Sequence, residues 1–240
     1  AQDVLAPYRE RFVIEDPDHL IYLDGNSLGR LPKDTVPYLQ DIIEKRWGQR
    51  LIRGWNEGWF TAAQTLGDKI AQIVGALPGE VLVSESTSTN LFKMAVAALR
   101  ARPGRTKIVS DALNFPSDLY IFQGIIDLLG GQHTLEIIPS RDGIRIHPED
   151  IAAAIDSDTA LVSLSHVAFK SAFMYDMRVV SERAHQAGAL TLWDLSHSAG
   201  SVPLELDAWG ADLAIGCTYK YLNGGPGSPA FLYVGRELQE

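Results

Sequence analysis

The stretch CTYKYLNGGPGS, residues 217–228, places an amine where it could do chemistry. Lys220 stands between two tyrosines, after an apolar run and before a glycine-rich turn. Burying a lysine costs solvation free energy unless a partner or a reaction compensates for it. That cost is removed when the lysine is carried as an imine instead of a solvated ammonium. The position therefore predicts that Lys220 faces other reactive groups.

Two more titratable residues occur in LTLWDLSHSAG, residues 190–200. Asp194 follows a stretch of buried-strand character, so its carboxylate needs a cation or hydrogen-bond donors. His197 comes three residues later and can reach the same region. Each residue also has a structural interpretation, as a loop or helix-cap acid and as a core or surface histidine. One strand separates them from Lys220, which indicates a shared site.

Hydroxyl side chains cluster before a predicted helix in SESTSTNLFKMAV, residues 84–96. One of them is the N-cap of that helix. Several hydroxyls together with the free backbone N–H groups of a helix N-terminus also form a cup for phosphate. Capping alone is the alternative interpretation.

The stretch NFPSDLY, residues 114–120, adds an aromatic ring and an acid at a second helix start. Phe115 could stack on a flat ligand ring or belong to the core. Ser117 is the predicted N-cap of this helix. Ser165 ends a strand in SLSHV and carries little information by itself.

The elements that must position these residues alternate along most of the chain. Residues 1–60 form an irregular segment rich in Gly, Pro and Trp, with a helical pattern at 33–50. Beyond it, amphipathic helices alternate with continuous apolar strands. The predicted helices span 61–74, 88–101, 116–131, 147–155 and 176–188, and the predicted strands span 80–85, 106–111, 133–139, 159–167, 189–195, 211–217 and 229–234.

This alternation predicts an α/β fold with three layers, α/β/α, around a mainly parallel sheet. In such sheets ligands bind at the carboxyl ends of the strands. The motifs quoted above all follow strands, so we expect them to line one crevice.

A single ligand fits this combination of groups, and it is pyridoxal 5′-phosphate. Its phosphate requires an anion cup, its ring requires a stacking face, and its pyridinium nitrogen requires a carboxylate. Its aldehyde requires an amine for a Schiff base. A Schiff base with this aldehyde explains why Lys220 follows an apolar run, and we expect Lys220 to be carried as an imine.

The chain resembles the kynureninases, which belong to fold type I of the pyridoxal-phosphate enzymes, the aspartate-aminotransferase type. The matching stretches are YLDGNSLGRLP, NFPSDLY, the shape of SESTSTNLF and, most specifically, WDLSHSAGSVPLELDAWGADLAIGCTYKYLNGGPGS. The resemblance runs over essentially the whole chain. Cysteine desulfurases share the order of the aspartate and the lysine but show a different lysine motif.

The resemblance implies roles by position. It makes Lys220 the Schiff-base lysine, Asp194 the partner of the pyridine nitrogen, and Tyr219 a phosphate ligand and candidate proton relay. The implied cofactor-binding residues are Thr87, Ser88, Phe115, Pro116, Ser117, Asp118, Ser165, Asp194, His197, Tyr219 and Lys220. Asn26, Ser27 and Trp59 are implied substrate-pocket residues, and no metal is implied.

The implied reaction is hydrolysis of L-kynurenine, or of 3-hydroxykynurenine, to anthranilate or 3-hydroxyanthranilate and L-alanine, in tryptophan catabolism. The family also implies a homodimer and chains of roughly 400 residues. We therefore expect an N-terminal segment (1–60) that contributes to the site and the dimer, and a large cofactor-binding domain (61–240). A small C-terminal domain with the carboxylate-binding arginine is expected beyond residue 240.

The bulk composition narrows the function classes. The 240 residues are 46% hydrophobic with a formal charge of −9, which favours a packed globular protein and no nucleic-acid-binding face. Cys217 is the only cysteine, so an intramolecular disulfide is excluded. Without a signal-peptide pattern or a long apolar run, the expected location is the cytoplasm.

Three other functions are compatible with parts of this pattern. A desulfurase-like enzyme of the same fold needs a mobile cysteine nucleophile, and Cys217 at a strand end is poorly placed for that. A nucleotide-binding module would use NGGPGS as a phosphate loop, but the lysine-serine/threonine ending and the following helix are missing. A non-catalytic scaffold is disfavoured by the presence of Asp194, His197 and Lys220 together.

Overall fold

The fold is described from a computed structural model that covers residues 3–239. The predicted segment limits at residues 1 and 240 lie outside these described residues. The helices are α1 (Thr35–Asp41), α2 (Ala62–Val74), α3 (Thr87–Ala101), α4 (Pro116–Leu128), α5 (Pro148–Ala154) and α6 (Met177–Ala187). The strands are β1 (Val81–Val83), β2 (Lys107–Asp111), β3 (Thr134–Ile138), β4 (Thr159–Ser165), β5 (Leu190–Asp194), β6 (Leu213–Gly216) and β7 (Phe231–Val234).

The seven strands form one sheet in the order β1-β7-β6-β5-β4-β2-β3. Strands β6, β5, β4, β2 and β3 are parallel to one another, whereas β7 runs antiparallel to both β6 and β1. The sheet reverses its strand order between β4 and β2, because β5 and β6 extend it to one side and β2 and β3 to the other. The predicted mainly parallel α/β fold is confirmed.

Each face of the sheet is covered by its own apolar cluster. Ile108, Leu161 and Leu192 point to the face where α3 and α4 pack, together with Leu91 and Phe122. Their sequence neighbours on the strands point to the opposite face, where α2, α5 and α6 pack; they are Val109, Val162 and Trp193. This alternation along each strand is what a sheet buried on both sides requires.

Three helix ends lie where capping residues in the sequence predict them. Ser86 caps α3 by accepting a hydrogen bond from the N–H of Thr89. Gly75 and Gly188 end α2 and α6 in the left-handed conformation that glycine adopts without steric cost. These ends confirm the predicted limits of the three helices.

Two helix predictions need correction. The pattern at 33–50 is not one α-helix, because α1 ends at Asp41 and the chain then forms π-helical turns over Ile42–Trp47. Ser117 is not the N-cap of α4. The cap position is occupied by Phe115, without a side-chain cap hydrogen bond, because Pro116 takes the first helical turn where its fixed φ is favourable.

Short 3-10 segments complete the chain at Ala6–Arg11, Leu51–Trp55 and Arg236–Leu238. Within residues 3–239, none of the helices has the length and apolar character needed to cross a lipid bilayer.

Candidate active site

A cavity of about 460 Å³ opens at the carboxyl ends of the strands. The starts of α3 and α4 contribute Thr87, Ser88, Phe115, Ser117 and Asp118 to its wall. The segments after β5 and β6 contribute Asp194, His197, Tyr219 and Lys220. The structure thus brings together, in one crevice, most of the residues that the sequence indicated.

Lys220 lines this cavity and has 8% of its surface exposed. Its Nζ is 2.6 Å from Nε2 of His197. The same nitrogen lies 5.8 Å from the ring centroid of Phe115 and 5.6 Å from that of Tyr219. The Lys220 nitrogen thus lies between two aromatic faces and a histidine, inside a cavity where it could attack the carbonyl carbon of a ligand.

Asp194 ends β5 and is fixed by the loop that follows. Its Oδ1 accepts hydrogen bonds from the N–H of Ser196 at 2.9 Å and from the Ser196 hydroxyl at 2.6 Å. Its Oδ2 lies 3.4 Å from the Ser165 hydroxyl, at the long end of hydrogen bonding. Oδ2 therefore remains the freer oxygen, so this carboxylate can accept a hydrogen bond from a ligand.

A second carboxyl group, Asp118, lies in the same wall on α4. Burial, and after it the negative charge of Asp194, together raise the pKa of Asp118 to about 8. Lys220 and the Ser117 hydroxyl act in the opposite direction. Two neighbouring buried carboxyl groups rarely ionise together, so Asp118 is the protonated member of the pair at neutral pH.

The N-terminus of α3 forms the anion cup. The hydroxyl of Ser86 accepts from Thr89, and the amides of Thr87 and Ser88 precede the first intrahelical donor of the helix. Ser228 lines the opposite wall and is held by the Thr218 hydroxyl at 2.6 Å. Amides, hydroxyls and the helix dipole together favour a dianionic group such as phosphate.

Phe115 does not belong to the core, since 38% of its surface is exposed. Its ring packs edge-on against Phe169, with centroids 5.1 Å apart. Pro116 follows directly as the first residue of α4 and fixes the direction in which the chain enters that helix. One ring face of Phe115 is therefore available to a flat ligand in the cavity.

Ser165 lies behind the cavity wall. Its hydroxyl donates to Oδ1 of Asn114 at 2.7 Å. The same Asn114 oxygen accepts from the N–H of Phe115 at 2.8 Å. Asn114 was missed from the sequence, although it is the first residue of the quoted NFPSDLY stretch and its buried amide ties β4 to the start of α4.

Tyr219 and Cys217 line the cavity beside Lys220. Burial raises the pKa of both the Tyr219 phenol and the Cys217 thiol. Cys217 is 4% exposed, and its Sγ lies 3.8 Å from the carbonyl oxygen of Ser196. A buried thiol with a raised pKa is unsuited to carrying a mobile persulfide.

The three predicted substrate-pocket residues do not appear among the described residues that line this cavity. Asn26 and Ser27 lie on a turn of the N-terminal segment that packs beside Tyr221. Trp59 lies against Gly54. Their roles stay predictions.

Other cavity residues carried no separate signal in the sequence. Ser196 is one of them, and it orients Asp194 through two hydrogen bonds. Glu85, at a φ of 52°, is another, and its side chain pairs with Lys93 at 3.0 Å. The sequence shows Ser196 only as a hydroxyl residue two positions after Asp194, and the left-handed backbone of Glu85 leaves no trace in it.

The donor set fits pyridoxal 5′-phosphate. The cup at α3, the free face of Phe115, Oδ2 of Asp194 and the amine of Lys220 supply the four contacts that this cofactor requires. Nδ1 of His197 is buried and has no hydrogen-bond partner among residues 3–239. An orphaned polar atom in a wall of this kind indicates a site built for a ligand.

The profile of the aminotransferase class-V family matches residues 21–240. The chain belongs to this family. Pyridoxal 5′-phosphate is the cofactor of the family, in agreement with the prediction.

The resemblance to kynureninases is confirmed by comparison with curated proteins. The chain is 49% identical to a kynureninase of Pseudomonas fluorescens over 243 aligned residues, which cover 99% of this chain and 56% of that protein. It is 47% identical to a kynureninase of Burkholderia pseudomallei (strain 1106a) over 242 aligned residues, with the same coverage of 99% and 56%. The chain thus spans little more than half the length of these relatives.

Solved structures agree on the fold. A cysteine desulfurase of Thermococcus onnurineus NA1, in its apo form, aligns with a TM-score of 0.80 and 23% identity, over 99% of this chain and 58% of that one. A C-DES mutant with glycine covalently linked to its PLP cofactor aligns with a TM-score of 0.81 and 18% identity, over 95% and 60%. At these identities the likeness is one of fold.

Proposed function

We propose that the protein hydrolyses L-kynurenine to anthranilate and L-alanine with pyridoxal 5′-phosphate as cofactor. The observation that carries the proposal is the placement of the Lys220 amine, buried beside His197, in one cavity with Asp194 and the α3 anion cup. The identity of 47–49% with kynureninases supports the choice of substrate. The desulfurase alternative is disfavoured by the buried position of Cys217.

Each group has a defined task when the cofactor is bound. The amides and hydroxyls of Thr87 and Ser88 would hold the phosphate, and Phe115 would cover one ring face. Asp194 would accept a hydrogen bond from the protonated ring nitrogen and so keep the ring cationic. The cofactor supplies an aldehyde that condenses with amines and a ring that withdraws electrons from the substrate α-carbon. Ser196 keeps Asp194 in place through its N–H and its hydroxyl.

Lys220 is the proposed base for the substrate α-proton. A released lysine amine at this position is poorly hydrated and is flanked by the neutral acceptor Nε2 of His197, so it can take up and return a proton. Tyr219 is proposed to donate to the cofactor phosphate and to handle a proton at the substrate γ-oxygen. Burial raises the pKa of its phenol, so the hydroxyl stays protonated and able to donate at neutral pH.

Several finer features belong to the same proposal. The substrate class includes 3-hydroxykynurenine, with Asn26, Ser27 and Trp59 near the substrate, and the protein acts as a cytoplasmic homodimer. The segment 1–60 contributes to the site and the dimer, and 61–240 forms the cofactor-binding domain. The substrate carboxylate is bound by residues that follow residue 240 in a full-length protein.

The test uses the full-length protein loaded with pyridoxal 5′-phosphate. L-Kynurenine is added, anthranilate is followed by its fluorescence, and alanine is measured in the same samples. Equal amounts of both products support the proposal, and 3-hydroxykynurenine in parallel gives the substrate preference. A lysine-bound cofactor spectrum without either product would overturn the substrate assignment, and the absence of that spectrum would overturn the cofactor site as well.

A further inference from the structure

The stretch YLDGNSLGRLP, residues 22–32, touches the lysine loop through a glycine. The N–H of Gly29 donates to the carbonyl oxygen of Tyr219 at 2.9 Å. A Cβ on Gly29 would overlap the carbonyl oxygen of Lys220 and Oδ1 of Asn223, and would lie 3.0 Å from Cα of Asn223. The backbone of residue 29 therefore lies directly against the peptide units on both sides of Lys220.

Glycine is required here for close approach. The positive-φ glycines do not include Gly29, so its backbone dihedrals are open to other residues. A side chain is excluded by lack of space. Its Cβ would overlap the Lys220 carbonyl oxygen, which belongs to the main chain, and Oδ1 of Asn223, which lies on a fixed turn. The N–H of Asn223 donates to the Lys220 carbonyl at 3.0 Å, and Asn223 itself has a φ of 56°.

The segment that presents Gly29 is held on both sides. The hydroxyl of Tyr22 lies 2.6 Å from the carbonyl oxygen of Leu28 and closes the turn before Gly29. After it, the N–H of Val13 donates to the carbonyl of Leu31 at 2.9 Å. A segment fixed at both ends transmits its position to the loop that it touches.

The other side of the lysine loop is also packed. A Cβ on Gly200 would lie 3.0 Å from a methyl carbon of Leu222 and 3.2 Å from the carbonyl oxygen of Tyr221. The loop is thus clamped between the N-terminal segment and the residues after β5. The Nζ of Lys220 keeps its distance of 2.6 Å to His197 only while this backbone stays in place.

We propose that Gly29 is a positioning residue for Lys220, and that residues 22–32 serve the site by fixing the backbone of the lysine loop. This inference rests on the proposed function for its catalytic consequence, but its geometry does not depend on the substrate. It gives the YLDGNSLGRLP motif a task that is distinct from substrate contact. A shift of the loop by about 1 Å is sufficient to lower turnover by about 100-fold.

The experiment compares three variants of the full-length protein with the unmodified protein. Gly29→Ala pushes the loop. Gly25→Ala is the matched control on the same turn, since its Cβ would meet only the Tyr221 ring at an ordinary 3.4 Å. Tyr22→Phe removes the hydroxyl that closes the turn and adds no atoms, so it covers the case in which Gly29→Ala fails to fold.

Four readouts are taken. They are amide hydrogen exchange over residues 218–224, the visible circular dichroism of bound pyridoxal 5′-phosphate, the rate at which borohydride traps that cofactor on Lys220, and kcat and KM with L-kynurenine. In Gly29→Ala we expect faster exchange at residues 223 and 224, a changed dichroic band and slower trapping, with kcat lowered about 100-fold and KM nearly unchanged. Tyr22→Phe should show smaller changes of the same sign, and Gly25→Ala none.

A lower melting temperature in Gly29→Ala with unchanged exchange, dichroism and trapping in the folded fraction would overturn the inference, because it would reduce Gly29 to a structural role. If the unmodified protein does not convert kynurenine, the exchange and trapping data still decide the positioning role. Failure of the proposed function and failure of this inference are therefore told apart.

Discussion

Nζ of Lys220 and Nε2 of His197 form a hydrogen bond of 2.6 Å inside the cavity wall. A lysine ammonium has no acceptor, so Nε2 must accept and the imidazole proton resides on Nδ1. Burial lowers the pKa of His197, and the charge of Lys220 lowers it further. The histidine is therefore neutral at pH 7, and its Nδ1–H is a donor without a partner in the described part of the chain.

Replacement of Lys220 tests whether this residue binds the cofactor and acts as the base. Lys220→Ala in the full-length protein should abolish the lysine-bound cofactor spectrum and lower kcat for kynurenine by at least about 1,000-fold, since both the attachment point and the base are lost. Absorbance spectra and anthranilate fluorescence measure the two effects. Lys93→Ala, at an exposed ion pair with Glu85, is the control. Full activity in the Lys220 variant would exclude it as the reactive amine.

The negative charge of Asp194 is expected to matter for turnover but not for cofactor binding. Asp194→Asn keeps an oxygen that can accept from Ser196 but removes the negative charge. We expect retained cofactor binding, measured by equilibrium dialysis, and a loss of turnover of about 100- to 1,000-fold. Near-normal turnover would show that no charge is needed at the ring nitrogen.

The pair Asp118 and Asp194 predicts an unusual dependence of stability on pH. Since burial raises the pKa of Asp118 to about 8, the folded protein holds a proton that the unfolded chain has lost. The unfolded chain thus binds fewer protons between about pH 4 and pH 8, and this group lowers the free energy of unfolding as pH rises through that range, by at most about 1.4 kcal/mol per pH unit.

Thermal melts of the cofactor-free protein at pH 5.5, 7 and 8.5 measure this effect. Asp118→Asn is neutral at every pH, so its melting temperature should gain on that of the unmodified protein as pH increases. Parallel curves for the two proteins would contradict the assignment of Asp118 as the protonated carboxyl group.

A buried hydrogen bond away from the cavity predicts a loss of stability. The hydroxyl of Tyr175 donates to Oδ2 of Asp111 at 2.9 Å, and both side chains are buried. Tyr175→Phe leaves that carboxyl oxygen without its donor and should lower the free energy of unfolding by about 1–3 kcal/mol. Tyr120→Phe is the control, since Tyr120 is 75% exposed. Equal urea midpoints for the two variants would show that the bond contributes nothing.

The sequence predicted the fold well because strands buried on both faces have continuous apolar runs. LTLWD and TALVSLS are of this kind, and both became central strands. The direction of β7 was out of reach, since the FLYV pattern is the same in a parallel and an antiparallel strand. The π-helical turns over Ile42–Trp47 were also hidden, because the helical periodicity continues through them.

The site residues that could be predicted were polar side chains at positions where packing alone favours an apolar residue. Lys220 after an apolar run and Asp194 at the end of β5 are cases of this kind. Contacts made by the main chain were not predictable, because they depend on two segments distant in the sequence meeting in space. The approach of Gly29 to the main chain of Lys220 belongs to this group. The hydrogen bond that the Ser165 hydroxyl donates to Oδ1 of Asn114 joins two side chains, but it was hidden for the same reason.

The pairing of β1 with β7 has a consequence for the order of folding on the ribosome. β1 leads directly into the start of α3, yet among the strands of residues 3–239 it pairs with β7 alone, with Val83 opposite Phe231. Until residue 231 has left the exit tunnel, β1 has no strand to bind, and contacts of such long sequence separation form late. The phosphate cup is therefore expected to be completed only when nearly all of these 240 residues have been synthesised, after the central strands have assembled.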